Sequence, residues 1–351
     1  MTASLARRGY SMPAEWAPHA ATWIAWPHEL KDWPGRFAPI PWAYGELVRL
    51  LSRHERVRIL VGDATREKRA RRVLTKVGVD LGRVEFHRVP TDRVWTRDSG
   101  AIFVTNGRGD RVATHWKFNG WAKYANHKRD DAVAGRMAKA LSVEEHRVLI
   151  GDREVVLEGG AIDVDGAGLL LATEECLLSE TQARNPGLGR AGIEKVLADT
   201  LGIRRVIWLG RGIAGDDTHG HIDDLARYVG PGRVLLAQEE NEKDLNYAPL
   251  RENLERLRAE KLDVIPLPMP QPLVFDGMRL PASYANFYIA NGQVIVPTFN
   301  DARDRQALGI IAECFPDREV VGLHCVDFVW GLGTIHCATQ QEPMERGSGA
   351  S

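Results

Sequence analysis

The sequence predicts an α/β fold made of repeated strand–hairpin–helix units, stacked radially or in line. Two observations carry this reading. Four segments share one pattern: Ala101-Ile-Phe-Val-Thr-Asn-Gly107, Ala161-Ile-Asp-Val-Asp-Gly166, Ala226-Arg-Tyr-Val-Gly-Pro-Gly232 and Asn286-Phe-Tyr-Ile-Ala-Asn-Gly292. Each reaches a glycine-containing turn and continues into a second apolar run, which is the signature of a β-hairpin. Their starts, at 101, 161, 226 and 286, also recur at nearly constant spacing. Self-similarity at a fixed period marks stacked structural units.

Taken in order, the apolar, β-branched runs 22–26, 57–61 and 84–89 predict strands. The hairpins follow, with second strands at 112–114, 169–172, 234–237 and 294–296. Between them, apolar residues at helical spacing predict helices over 131–141, 190–201, 250–260 and 302–314. Further strands are predicted at 205–209, 264–267 and 320–323, and a closing one at 334–338. No Gly/Pro/Ser-rich linker interrupts the series, so residues 12–341 read as one domain. Residues 1–11 read as an N-terminal extension, and the polar 342–351 as a disordered tail. The five tryptophans Trp16, Trp23, Trp26, Trp33 and Trp42 are expected mostly to pack, with some lining a pocket.

A net charge of −1 argues against nucleic acid or an anionic membrane as partner. No apolar stretch approaches the ~20 residues of a membrane span, and the first ten residues hold no apolar run to serve as a signal peptide. The four cysteines, Cys176, Cys314, Cys325 and Cys337, form no C-x-x-C pair and no disulfide framework. The expectation is a soluble, reduced, cytoplasmic protein.

Three residues upstream of each hairpin start stand Asp98, Glu158, Asp223 and Ser283. Equivalent positions in repeated units lie at equivalent places, so three carboxylates should converge. The competing reading makes each a turn acid satisfied by backbone N–H groups. Converging acids must hold a cation or take up protons. A guanidinium suits them, being planar, permanently charged and rich in donors. Cys337 follows the glycine-rich Gly331-Leu332-Gly333-Thr334, and His221 lies in Thr218-His219-Gly220-His221-Ile222-Asp223. A thiol, a histidine and a carboxylate are the components of cysteine nucleophilic catalysis. Two rival readings stand beside this one. His219, His221 and Asp223 alternate as zinc ligands would on a strand, the pattern of a metallohydrolase. The chain could also be a guanidine-binding module without turnover.

The blocks Trp95-Thr96-Arg97-Asp98-Ser99-Gly100, Glu158-Gly159-Gly160, Arg184-Asn185-Pro186, Gly215 to Asp223 and Ile335-His336-Cys337-Ala338-Thr339-Gln340-Gln341 occur in this order. Together they resemble the agmatine deiminase and bacterial peptidylarginine deiminase family, within the guanidino-group-modifying superfamily. The resemblance implies a pseudo-fivefold α/β propeller with its active site on the axis. It implies Cys337 as nucleophile, His221 as acid/base, Asp98 and Asp223 as the acids that hold the guanidinium, and Glu158 as the acid that orients both. Trp95 matches an aromatic position at the substrate channel. No metal or organic cofactor is implied, and a homodimer is. The implied reaction is hydrolysis through an S-alkylthiouronium on Cys337, with agmatine going to N-carbamoylputrescine and ammonia in putrescine and polyamine biosynthesis. Arginine and peptidyl-arginine, giving citrulline products, are the alternatives. Agmatine-specific members usually carry three glycines where this chain has Gly331-Leu332-Gly333. His336 is expected to face away from the site and pack, Arg97 to pair with an acid, and Cys176, Cys314 and Cys325 to carry no chemistry.

Overall fold

The computed structural model describes residues 3–345. Five sheets in it repeat one topology. In each, an antiparallel pair, a hairpin in four of the five, is followed by a helix and by a further strand parallel to the pair's inner strand. Parallel neighbours need a crossover connection, and the helix supplies it. The first unit runs Ile102–Asn106, Arg111–His115, helix Val133–Leu141, Glu144–Arg147. The second runs Asp163–Val164, Leu169–Thr173, helix Arg190–Leu201, Arg205–Leu209. The third runs Ala226–Gly230, Arg233–Gln238, helix Tyr247–Ala259, Asp263–Pro268. The fourth runs Tyr288–Ala290, Gln293–Thr298, helix Asp304–Cys314, Glu319–His324.

The fifth sheet joins residues from opposite ends of the sequence. Thr339–Pro343 pairs antiparallel with His19–Ala25, which runs parallel to Arg56–Val61 after helix Ile40–Leu51. A second helix, Ala64–Lys76, leads to a fourth strand, Val84–Arg88. His19–Ala25 is almost wholly buried, so its sequence is apolar without strict alternation. Trp23 and Trp33 are completely buried, whereas Trp42 is 45% exposed. No helix among the described residues is long and apolar enough to cross a membrane.

Several sequence expectations need correction. Residues 334–338 are not a strand. Ile335–Ala338 is one helical turn, and the strand begins at Thr339. The Asn286 carboxamide causes this: its Oδ1 accepts from Thr334 Oγ1 at 2.7 Å and from the backbone N–H of His336 at 3.1 Å. These bonds satisfy donors that a helix start leaves orphaned. The tail does not begin at Glu342. Glu342 and Pro343 complete the last strand, and the buried Glu342 carboxylate accepts from Trp23 Nε1 at 2.8 Å and pairs with Arg58 and Arg111 at 3.1 and 2.9 Å. Residues 346–351 of the expected tail lie outside the described residues. The N-terminal segment is not a loose extension either. Leu5 is fully buried, and Tyr10–Ser11 pairs with Asn106 and Thr105 at the edge of the first sheet. The first hairpin turn also differs, since the left-handed residue is Gly109 (φ 95°). Asn106 Oδ1 accepts from the backbone of Arg108 and Asp110, both at 3.0 Å, and lengthens that loop.

Candidate active site

A short helical turn leads into four of the five antiparallel pairs and places a candidate site residue. Thr96–Ser99 carries Asp98, Glu158 directly precedes Gly159–Ala161, Ile222–Asp224 carries Asp223, and Ile335–Ala338 carries Cys337. The turns pack against one another, so residues far apart in sequence meet. Ser283 does not join them. Its Oγ accepts from its own turn, at Ala285 N, 3.1 Å away. The fourth unit contributes Asn286 instead.

His221 sits among the three predicted acids. Its Nδ1 lies 3.9 Å from Asp98 Oδ1 and from Asp223 Oδ1, and its Nε2 lies 3.9 Å from Glu158 Oε2. These are ion-pair separations, too long for hydrogen bonds. Both ring nitrogens, Glu158 Oε2 and Asp223 Oδ1 are buried without a hydrogen-bond partner. The other acid oxygens are anchored. Asp98 accepts from Trp121 Nε1 at 2.9 Å and from Gly160 N at 3.0 Å, and Glu158 Oε1 accepts from Arg184 Nε at 2.9 Å. A Cβ on Gly160 would stand 2.6 Å from His221 Nδ1, 2.9 Å from Asp98 Oδ1 and 3.1 Å from Asp223 Oδ2. Only glycine lets the backbone come so close to these three side chains. The backbone of His221 is fixed by Asp216, whose carboxylate accepts from Gly220 N at 2.7 Å and His221 N at 3.0 Å.

Cys337 is 6% exposed. Its Sγ is 3.1 Å from Asn286 Nδ2 and 3.7 Å from Asp223 Oδ2. The same Nδ2 donates to Asp224 Oδ1 at 3.0 Å. His336 does not face away, because successive residues on a helical turn are not on opposite faces as they are on a strand. Its Nδ1 meets Asp223 Oδ2 at 2.7 Å and its Nε2 meets Glu15 Oε2 at 2.8 Å. Glu15 also pairs with Arg97 at 3.1 Å and Arg227 at 2.8 Å. Arg97 is thus a structural partner of an acid, as expected. Asn286, Glu15 and Trp121 are neighbours of the cluster that sequence reasoning did not single out, and His336 is one that it placed outside the site.

Electrostatics divide these groups. Burial pushes the Cys337 thiol well up, and Asp223, Asp224 and Asp98 push it further. Burial opposes the charged form of His221, but Asp98 and the neighbouring groups outweigh it and raise its pKa well above the usual value. Burial raises Asp98 to about 6, with Asp223 and Glu158 adding to the effect against His221. Burial would raise Glu158 too, but the Arg184 guanidinium and His221 hold it at about 2. Asp223 lies low despite burial because His336 bonds it. The free site therefore holds a neutral thiol beside a cationic imidazole.

A cavity of about 720 Å³ opens onto Cys337 and Asp98, lined by Trp95, Trp121, Tyr124, Asp217 and Leu332 among others. Trp95 lines this cavity, with its ring 5.7 Å from that of Trp33. The zinc reading of His219, His221 and Asp223 is not supported. His219 has a left-handed backbone (φ 66°), and its Nε2 lies 3.3 Å from Ser179 Oγ. Residues 219–223 form no strand, so the alternation is lost. Among the described residues, the groups close enough to share an ion are Glu158, Cys176 and His221, and Asp223, Asp224 and Cys337, each with ligand atoms within 4.8 Å. Apart from Cys176, a buried cysteine that the sequence reading gave no role, all lie in the acid and thiol cluster described above.

The sequence matches the Porphyromonas-type peptidyl-arginine deiminases over residues 11–343. The chain belongs to this family. An agmatine deiminase of Ectopseudomonas mendocina is 36% identical, covering 97% of each chain. The structure of an Enterococcus faecalis agmatine deiminase superposes with a TM-score of 0.90, 32% identity and 98% coverage of both chains. A point variant of the C. jejuni agmatine deiminase with substrate bound superposes with a TM-score of 0.86 and 28% identity, covering 96% of this chain and 97% of that one. The deiminase family fold is thus the α/β arrangement described above.

Proposed function

We propose that this chain hydrolyses agmatine to N-carbamoylputrescine and ammonia, with Cys337 as nucleophile and His221 as acid and base. The observation that carries this reading is the convergence of Asp98, Glu158 and Asp223 around His221, with Asp223 Oδ2 3.7 Å from the Cys337 thiol. Unpartnered carboxylate oxygens of Glu158 and Asp223 belong to this cluster. They suit the N–H donors of a guanidinium. The five sheets serve as blades of a pseudo-fivefold propeller, and the short turns bring the reacting groups to its axis.

Each step follows from the charges. The docking cation offsets the carboxylates that keep Cys337 protonated, and the thiol gives up its proton to solvent. The thiolate attacks the guanidinium carbon and a tetrahedral adduct forms. The His221 imidazolium protonates one departing nitrogen, the C–N bond breaks, and ammonia leaves. An S-alkylthiouronium remains on Cys337. Neutral His221 then takes a proton from water, the oxygen adds to the same carbon, and the C–S bond breaks. The added oxygen loses its remaining proton to solvent as the carbonyl forms, the ureido product departs, and the Cys337 thiolate takes a proton back from solvent. Asp98 and Asp223 hold the guanidinium nitrogens, Glu158 orients His221, and Trp95 walls the methylene chain.

The test is turnover of agmatine with ammonia and ureido product measured together. Mass spectrometry of the acid-quenched reaction should find an adduct on the Cys337 peptide. Cys337→Ser should lose several orders of magnitude in kcat and still bind agmatine. Near-normal turnover in this variant would overturn the nucleophile assignment, and tenfold better kcat/KM for arginine or an arginyl peptide would overturn the substrate.

A further inference from the structure

His336 is buried, and both of its ring nitrogens face carboxylates, Asp223 Oδ2 at 2.7 Å and Glu15 Oε2 at 2.8 Å. A neutral imidazole offers one donor and one acceptor, whereas an ionised carboxylate only accepts. The protons on the ring can therefore be counted from its partners. Glu15 is surrounded by donors. Its Oε1 accepts from Arg227 at 2.8 Å and from the backbone N–H of Ile289 at 2.9 Å, and its Oε2 accepts from Arg97 at 3.1 Å. Burial works against the charge on Glu15, but Arg227, His336 and Arg97 outweigh it and hold its pKa well below the usual value. Asp223 is also held low. With both acids ionised, both nitrogens must donate, and the ring is an imidazolium.

The two oxygens of Asp223 are used differently. Oδ2 is committed to His336, while Oδ1 is buried without a hydrogen-bond partner, 3.9 Å from His221 Nδ1. The other acids of the cluster are anchored by other means: Glu158 by the Arg184 guanidinium, and Asp98 by the neutral N–H groups of Trp121 and Gly160. The ring itself is tied in place, since Arg97 Nε donates to the backbone carbonyl of His336 at 3.3 Å. The charged groups packed on it come from several elements: Glu15, Arg97 on the turn Thr96–Ser99, and Asp223 on Ile222–Asp224. One step out, Arg227 bridges Glu15 to Asp163, whose Oδ2 is 3.6 Å from Arg227 Nε. Asp223 in turn faces His221 and the Cys337 thiol, and Asp98 and Asp224 lie in the same cluster.

We infer that His336 is a positioning residue: as an imidazolium clamped between Glu15 and Asp223, it keeps Asp223 ionised, engages Oδ2 and leaves Oδ1 for the guanidinium. This rests on the deiminase reading above. Without that cation, Asp223 and Asp98 would be two buried carboxylates opposed mainly by His221. Like charges that share a site push one pKa strongly up. One acid of the pair would then keep its proton to a higher pH and could not hold the substrate.

The experiment measures agmatine binding against pH by calorimetry in the full chain carrying Cys337→Ser, so that no turnover intervenes. Binding should weaken as pH falls through the Asp98 limb at about 6. Adding His336→Gln should move that limb up by about one pH unit or more, which is about tenfold weaker binding at a fixed pH below it. His336→Asn, which keeps a neutral donor close to the place of Nδ1, is the second variant, and its limb should also move up. Urea denaturation reports which variants are folded, and an unmoved limb in a folded one overturns the role. Histidine 15N spectra supply a readout that a merely structural role would not move. At neutral pH the wild type should show a ring with both nitrogens protonated that is lost in His336→Gln, and a singly protonated ring there overturns the proposal. A Cys337→Ser protein that binds no guanidine at any pH overturns the deiminase reading instead, and the 15N spectra still decide the charge on His336.

Discussion

Replacing Gly160 with alanine adds one carbon to the space between the acids. The backbone there is not left-handed, so alanine costs nothing in conformation. The new Cβ would stand 2.6 Å from His221 Nδ1, 2.9 Å from Asp98 Oδ1 and 3.1 Å from Asp223 Oδ2. Ordinary contact begins near 3.4 Å, so the His221 ring would have to retreat by close to an ångström. Misplacement by about 1 Å costs on the order of 10²-fold in rate. kcat/KM for agmatine should therefore fall by about 10²-fold or more. Stability should fall by only about 1–3 kcal/mol, the usual cost of an extra methyl in a packed site. Gly107→Ala is the control, because a Cβ there meets nothing within 4 Å. The assay is ammonia release alongside urea denaturation of each variant. A Gly160→Ala enzyme within threefold of wild type would refute the reasoning that the close fit at Gly160 keeps His221 and the acids in their working positions.

Two further predictions concern protons. Asp98 has a pKa of about 6, and the Trp121 N–H holds it lower than it would otherwise be. If Asp98 must be ionised to hold the cation, kcat/KM should fall as pH drops through about 6, and Trp121→Phe should move that limb to higher pH; an unmoved limb assigns it to another group. Glu158 is depressed from 4.5 to about 2 by Arg184, so its stabilisation is complete above pH 4.5 and lost as pH falls toward 2. That contribution is about 3 kcal/mol, and Glu158→Gln removes it. The stability gap between wild type and variant should be widest above pH 4.5 and narrow on acidification, and a gap that stays constant with pH contradicts the linkage.

Much of this architecture was legible because it is local. Hairpins announce themselves through short turns such as Asp165-Gly166 and Asn291-Gly292, and the left-handed Gly166 and Gly292 bear this out. The acids were legible because the unit repeats, so a common offset brought Asp98, Glu158 and Asp223 to light together. Ser283 shows the limit of that logic, since the repeat fixes a place and not a role. The residues that were missed act across long separations. Asn286 reaches Cys337 over 51 positions, and Glu15 reaches His336 over 321. No local pattern encodes such pairs. The reading of His336 failed for a related reason. Residues 335–338 look like a strand until the Asn286 carboxamide starts a helical turn there.

The fifth sheet also has a consequence for how the protein is made. Synthesis releases the chain from its N-terminus, and the earlier units can fold as they emerge. Asp98, Glu158 and His221 all precede the final strand, whereas Cys337 enters with it, two residues before Thr339. Until Thr339–Pro343 docks, His19–Ala25 lacks its antiparallel neighbour, and Trp23, Arg58 and Arg111 lack the Glu342 carboxylate that ties them together. The nascent chain thus carries its acids and its histidine before it carries a nucleophile. The event that closes the sheet also delivers the thiol, so catalytic competence begins only when the fold is latched.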